Sequence, residues 1–178
     1  MKLRKLIYSG LLAAIGVLLP QVFHLIGGPQ AGSMFLPMHI PVLLAGFAAG
    51  PLGGLAVGVI TPLLSFLITG MPQIPRLYFM LFELAAYGLA GGLLYKKLPL
   101  LPSLLLAMIS GRAVYALCLM LSGPLFGVNI DAPVAAITAT VTGLPGIAIQ
   151  LILIPAVVYA LKKGGLLSDT TRKNKENT

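Results

Sequence analysis

The chain has no tryptophan, a single cysteine and 4 acidic residues among 178. One cysteine, Cys118, excludes an internal disulfide and leaves the redox compartment unread. Without tryptophan, tyrosine alone would have to supply an interfacial aromatic belt. The scarcity of charge is the most informative lack. Charged residues make up 9% of the chain, against about 25% in a soluble domain. So few charges cannot solvate the surface, and the bilayer must be the solvent for most of it. Signatures of chemistry are missing too. There is no HExxH, no paired His/Asp/Glu cluster, no Cys–His pair at ligand spacing and no Walker A sequence. Ser110, in ISGR, lacks the GxSxG context. These absences argue against an intramembrane enzyme, and no metal or organic cofactor is expected.

What is present is apolar sequence, 58% of the chain, punctuated by proline, glycine and charge. Six segments can be drawn by these breakers. The first is about Leu6–Ile26, followed by GGPQAGS. The next two, about Met38–Gly50 and Gly54–Thr69, are separated by the turn Gly50-Pro51-Leu52-Gly53. The fourth is about Leu77–Tyr95, and the fifth about Ser103–Leu121. The last apolar run, Val134–Leu161, is too long for one span, and Gly143-Leu144-Pro145-Gly146 should divide it into a short helix and the span proper. Segments two and three fall short of the ~20 residues a span usually needs. They are expected to form a hairpin shielded by protein, or to tilt with local thinning of the bilayer. Gly46, Gly50, Gly54 and Gly58 recur every four residues, a spacing that lets helices pack closely in lipid. The expected fold is an all-α integral membrane protein with six transmembrane helices in residues 1–165 and a polar cytoplasmic tail over 166–178.

Lys2, Arg4 and Lys5 before Leu6–Leu19 fit the first two parts of a signal peptide. No small-x-small cleavage site follows, so this stretch is read as the first span. The net charge of +8 would suggest nucleic acid in a soluble protein, but its distribution points to the membrane. With six spans and an inside N-terminus, Lys2, Arg4, Lys5, Lys96, Lys97, Lys162, Lys163, Arg172, Lys173 and Lys175 all face the cytoplasm. Only Arg76, with Asp131 opposite in sign, falls in the outer loops. That asymmetry follows the positive-inside rule and makes both termini cytoplasmic.

Among ionisable residues within spans two stand out, at roughly 2.5–3.5 kcal/mol each on insertion scales. Glu83, in FELAAYG, lies roughly 9 Å below the outer end of the fourth segment, and Arg112, in SGRAVYA, roughly 13 Å below that of the fifth. Similar depth on consecutive antiparallel helices admits two compatible readings. The pair fixes helix register, or it lines a pocket for a polar ligand. Tyr87 and Tyr115 lie about a turn from these residues, and Gln150 comes in at comparable depth. Toward the outer ends, a loop carrying Gln30, Ser33 and Met34 leads into His39, between Pro37 and Pro41. Asn129 and Asp131 occupy the fifth loop. His39 is expected at the outer mouth, above the Glu83–Arg112 layer, capping the second helix or bonding a loop carbonyl.

The residues MHIPVLLAGFAAGPLGGLAVGVITPLLSFLITGMP, with FELAAYGLAGGLLY and SGR, resemble the substrate-binding S component of an energy-coupling factor (ECF) vitamin transporter. The resemblance spans nearly the whole chain and is fairly specific for the group containing riboflavin-, pantothenate-, folate- and pyrimidine-type S components, without choosing among them. It implies a small water-soluble vitamin held tightly near the outer face and covered by the first outer loop. Candidate ligand contacts are then Ser33, Met34, His39, Glu83, Tyr87, Arg112, Tyr115, Asn129 and Gln150. It also implies docking onto a membrane scaffold subunit carrying two cytoplasmic ATPases, in a bacterial plasma membrane. Small residues on the first helix, Ser9, Gly10, Ala13 and Ala14, occupy the place of the family's docking surface. Arg112 could neutralise a carboxylate, and the modest aromatic content disfavours large flat ligands. Pantothenate is therefore the first expectation, with pyridoxine or hydroxymethylpyrimidine behind it. The rival from another class is a stand-alone ion-coupled transporter or channel using Glu83.

Overall fold

A computed structural model of the chain describes residues 2–123, 127 and 130–167. Among these, all regular structure is helical. The helices are α1 (Lys2–Phe35), α2 (His39–Ala49), α3 (Pro51–Thr69), α4 (Arg76–Leu94), α5 (Leu100–Met120), α6 (Ala132–Thr142) and α7 (Leu144–Lys163). Five of them, α1, α3, α4, α5 and α7, are long and apolar enough to cross a membrane. With α2 and α6 too short for that, the described fold has five helices of spanning length.

The breakers act where the sequence puts them, with one exception. Gly50, at φ 89°, turns α2 directly into α3, and Pro51 occupies the first helical position, where its missing N–H costs nothing. Gly70 closes α3 in a left-handed conformation, its N–H donating to the Phe66 carbonyl. Gly143 divides the last apolar run into α6 and α7. The exception is GGPQAGS, expected as a loop. Gly27 and Gly28 leave helical geometry, Gly28 at φ 65°, but the helix resumes and runs to Phe35. Pro29 opens this second part, a position proline favours. The segment after Gly28 is thus a short helix bent off the first one.

α2 has 11 residues, all but Ala48 buried. At 1.5 Å per residue it measures about 16 Å, roughly half the hydrocarbon thickness. Protein, and not lipid, is its solvent, as one of the two expectations for this segment had it. It lies against α1, α3 and α4, and Val42, Leu43 and Ala45 are fully enclosed in the core.

The four-residue glycine pattern explains how close these helices come. A Cβ added to Gly88 would collide with the backbone of Gly54, and one on Gly58 with the Leu84 carbonyl. One on Gly46 would stand 2.6 Å from the Gly88 carbonyl oxygen. Backbones of α2, α3 and α4 therefore touch, which is the small-residue packing that substitutes for a hydrophobic drive in lipid. The outward faces carry leucine and isoleucine, Leu25 being 87% exposed, as lipid contact requires.

Basic residues gather at one end of the bundle. Arg4 donates to the carbonyls of Gly165 and Leu166 at 3.1 and 2.8 Å, joining the start of α1 to the end of α7. Lys162 lies 5.5 Å over the Tyr95 ring. The ends of α1, α2, α4, α5 and α6 remote from this cluster surround a cavity.

Candidate functional site

The cavity has a volume of about 910 Å³. Its walls come from α1 on both sides of the Gly27–Gly28 bend, the Leu36–His39 corner, the Met71–Pro75 loop, and α4, α5 and α6. Between Lys5 and Lys162, the Asp, Glu, His, Lys and Arg residues besides Lys96 and Lys97 are His24, His39, Arg76, Glu83, Arg112 and Asp131. All six line this one cavity. In a chain so poor in charge, that concentration marks the site.

Its floor is an ionic cluster. The Arg112 Nη1 lies 3.0 Å from Glu83 Oε1, and His39 Nε2 approaches the same oxygen at 3.6 Å. Glu83 and His39 are buried; Arg112 retains a little exposure. Each is placed by its local sequence. Glu83 sits on α4 directly before Leu84–Gly88, the stretch that Gly54 and Gly58 pull against α3. His39 starts α2, its backbone N–H donating to the Leu36 carbonyl at 3.1 Å, with Leu36 at the positive φ of 50° that makes the corner. Gly143 stands beside Arg112, since a Cβ there would come 3.0 Å from Nη2.

Tyr87 braces the cluster from behind. Its ring meets the His39 ring edge-on, with centroids 5.0 Å apart at 84°. Gly111 leaves room for that ring, which a Cβ would strike. The expected helix-capping or carbonyl-bonding role of His39 is not observed, because neither Nδ1 nor Nε2 has a hydrogen-bond partner and the N-cap position is Met38. The reason is packing: entering α2 at its first residue turns the imidazole inward, onto Glu83 and Tyr87.

Arg112 Nε and Nη2 likewise lack partners, and Glu83 Oε1 has its ion-pair contacts but no aligned hydrogen bond. An unbonded buried polar atom costs about 1–3 kcal/mol. A polar ligand bonding to this floor would recover that cost.

The mouth has a separate group. Arg76 Nη1 donates to Ser33 Oγ at 3.0 Å, tying the start of α4 to the bent part of α1. The Ser33 hydroxyl donates in turn to the Pro29 carbonyl at 3.3 Å. His24 lies against Gly32 in the same segment. Across the mouth, Asp131 caps α6 by accepting from the Val134 N–H at 3.4 Å.

Of the residues expected at a ligand site, the cavity brings together Ser33, His39, Glu83, Arg112 and Tyr115. Tyr87 lies behind its wall, Met34 is 43% exposed and not part of the lining, and Gln150 is fully buried on α7 outside it. Asn129 lies outside the described residues. Sequence reasoning passed over His24 and Arg76, although each is an ionisable residue in or beside an apolar segment, the signal that picked out Glu83. Thr138 and Thr142, four apart on α6, also line the cavity. Nothing in their apolar context flagged them.

The small residues of α1 divide between two faces. Ser9 packs against Gly53, where a Cβ would stand 3.0 Å from Ser9 Oγ, and Ala13 abuts the core. Gly10 has open space around it, and Ala14 is exposed.

With helices as the only regular structure among the described residues, five of them of spanning length, and a charged cavity at one end, the chain is a multi-pass membrane protein. Residues 4–164 match the family described as the ECF transporter, substrate-specific component, and the chain belongs to that family. It is a family of transporter subunits and not of enzymes. Membership carries with it a small-molecule substrate and association with the membrane scaffold and ATPase subunits of an ECF importer. No curated protein and no solved structure matches the chain significantly.

Proposed function

We propose that this chain is the high-affinity vitamin-binding subunit of an ECF importer in a bacterial plasma membrane, with pantothenate as its ligand ahead of pyridoxine or hydroxymethylpyrimidine. It spans the membrane six times, α2 serving as a short, protein-shielded span, and both termini lie in the cytoplasm. The gathering of Arg4, Lys96, Lys97, Lys162 and Lys163 supports that orientation through the positive-inside rule. The cavity then opens outward, where a scarce vitamin must be captured. Its binding residues are Ser33, His39, Glu83, Arg112 and Tyr115, braced by Tyr87.

The observation that carries this reading is the convergence of all six Asp, Glu, His and Arg residues away from the basic end on one cavity of about 910 Å³. Small-molecule sites fall in the range of roughly 300–1,000 Å³, apolar with a few convergent polar groups. The mixed lining of Phe79, Met80, Leu36 and prolines with two arginines suits a compact polar vitamin better than a large flat one. The ion-coupled alternative is weakened by Glu83 itself, which is held at 3.0 Å by Arg112. A fixed pair is a poor carrier of a mobile ion.

Reconstitution tests the proposal. Uptake of labelled pantothenate into vesicles should require ATP, the scaffold and both ATPase subunits. Ion-driven uptake by this chain alone would overturn it.

A further inference from the structure

The cavity has two polar poles. Arg76 opens α4 and Glu83 lies seven residues further on, so the two stand about 10 Å apart along the helix axis. Apolar side chains, Leu36, Ile74, Phe79 and Met80 among them, line the space around and between.

The poles differ in what they can accept. At the floor, the charge of Arg112 is already met by Glu83 at 3.0 Å. The unpartnered atoms there are a mixture: Nε and Nη2 of Arg112 donate, Glu83 Oε1 accepts, and His39 offers two ring nitrogens. A carboxylate or phosphate only accepts hydrogen bonds, and on this floor it would meet the Glu83 carboxylate. A hydroxyl or amide both donates and accepts, and can serve Glu83 and Arg112 together.

The mouth is different. Among the described residues no carboxylate lies within salt-bridge distance of Arg76, which donates to the neutral Ser33 hydroxyl. Asp131 across the mouth is engaged with the Val134 N–H at the start of α6, where the helix dipole offsets part of its charge. An anion at the mouth also keeps contact with water, which an anion on the floor would lose.

From this we infer the substrate class and its orientation: a bipolar molecule about 10 Å long, its uncharged hydroxyl or amide head on the Glu83–Arg112–His39 floor and its anionic end outward on Arg76. Arg76 is thereby a specificity-determining residue, reading the anion that Arg112 was expected to read. The inference rests on the proposed vitamin-binding function and deepens it.

The test compares pantothenate with panthenol, the same molecule with an alcohol in place of the carboxylate, by calorimetry on the full chain in nanodiscs. The wild type should prefer pantothenate by about tenfold or more, as loss of one charge-assisted contact implies. Arg76→Gln should lower pantothenate affinity to that of panthenol and leave panthenol unchanged. Arg112→Gln should weaken both together. The inference is overturned if Arg76→Gln binds pantothenate like the wild type, or if Arg112→Gln erases the preference while keeping panthenol; in either case the vitamin reading survives. A wild type that binds neither compound but holds pyridoxine, unaffected by Arg76→Gln, overturns the outer anion pole and the choice of vitamin together.

Discussion

Arg112 Nη1 lies 3.0 Å from Glu83 Oε1 in a pair whose side chains are 16% and 3% exposed, on neighbouring helices α5 and α4. Removing one partner of such a pair leaves an uncompensated buried charge, at about 3–5 kcal/mol. Arg112→Ala should therefore abolish vitamin binding and lower stability by that order. The double variant Glu83→Gln/Arg112→Gln removes both charges, and should recover much of the stability without recovering binding. Thermal unfolding in detergent beside calorimetry separates the two effects. Full stability in Arg112→Ala would mean the pair does not hold the helices.

His39 should matter for ligand more than for fold. Its ring nitrogens make no hydrogen bond, Nε2 standing 3.6 Å from Glu83 Oε1, while its ring packs on Tyr87 at 5.0 Å. His39→Phe keeps an aromatic ring there and removes the polar atoms. We expect a loss of affinity of about tenfold, the worth of one hydrogen bond to a charged or buried group, with little change in unfolding temperature. Unchanged affinity would make His39 a packing residue.

Much of this arrangement is legible in the sequence. Proline, glycine and charge marked the segment ends because each acts locally on the backbone, and the depth count put Glu83 and Arg112 in one layer because helical rise is constant. The bent helix after Gly28 was not legible. A Gly/Pro-rich run reads as a loop, yet Pro29 starts a helix as readily as it ends one. The orientation of His39 was hidden for a different reason, since the corner at Leu36 decides which way the first residue of α2 points. Arg76 and His24 were visible as charges and missed as site residues, because only the folded chain shows that the bent part of α1 and the start of α4 meet.

Glycine packing makes its own prediction. A Cβ on Gly88 would strike the Gly54 backbone, whereas Gly10 has nothing near it. Gly88→Val should prevent α3 and α4 from closing and give poorly folded protein, visible as low yield and a broad elution profile. Gly10→Ala should fold normally. Equal behaviour of the two variants would contradict the packing account.

Scaffold docking should separate the faces of α1 in the same way. Gly10→Leu and Ala14→Leu project outward and should spare vitamin binding while blocking ATP-dependent uptake in the reconstituted importer. Ser9→Leu, pressed against Gly53, should instead damage the fold. Normal uptake by Gly10→Leu and Ala14→Leu would move the docking surface elsewhere.

The central claim is that the charged cavity holds a small vitamin, and native mass spectrometry of gently purified chain tests it most directly. The account predicts a stoichiometric adduct of the mass of pantothenate on the wild type, absent from Arg112→Ala. A wild-type chain carrying no small molecule after growth in vitamin-rich medium, or an adduct equally retained by Arg112→Ala, would contradict it.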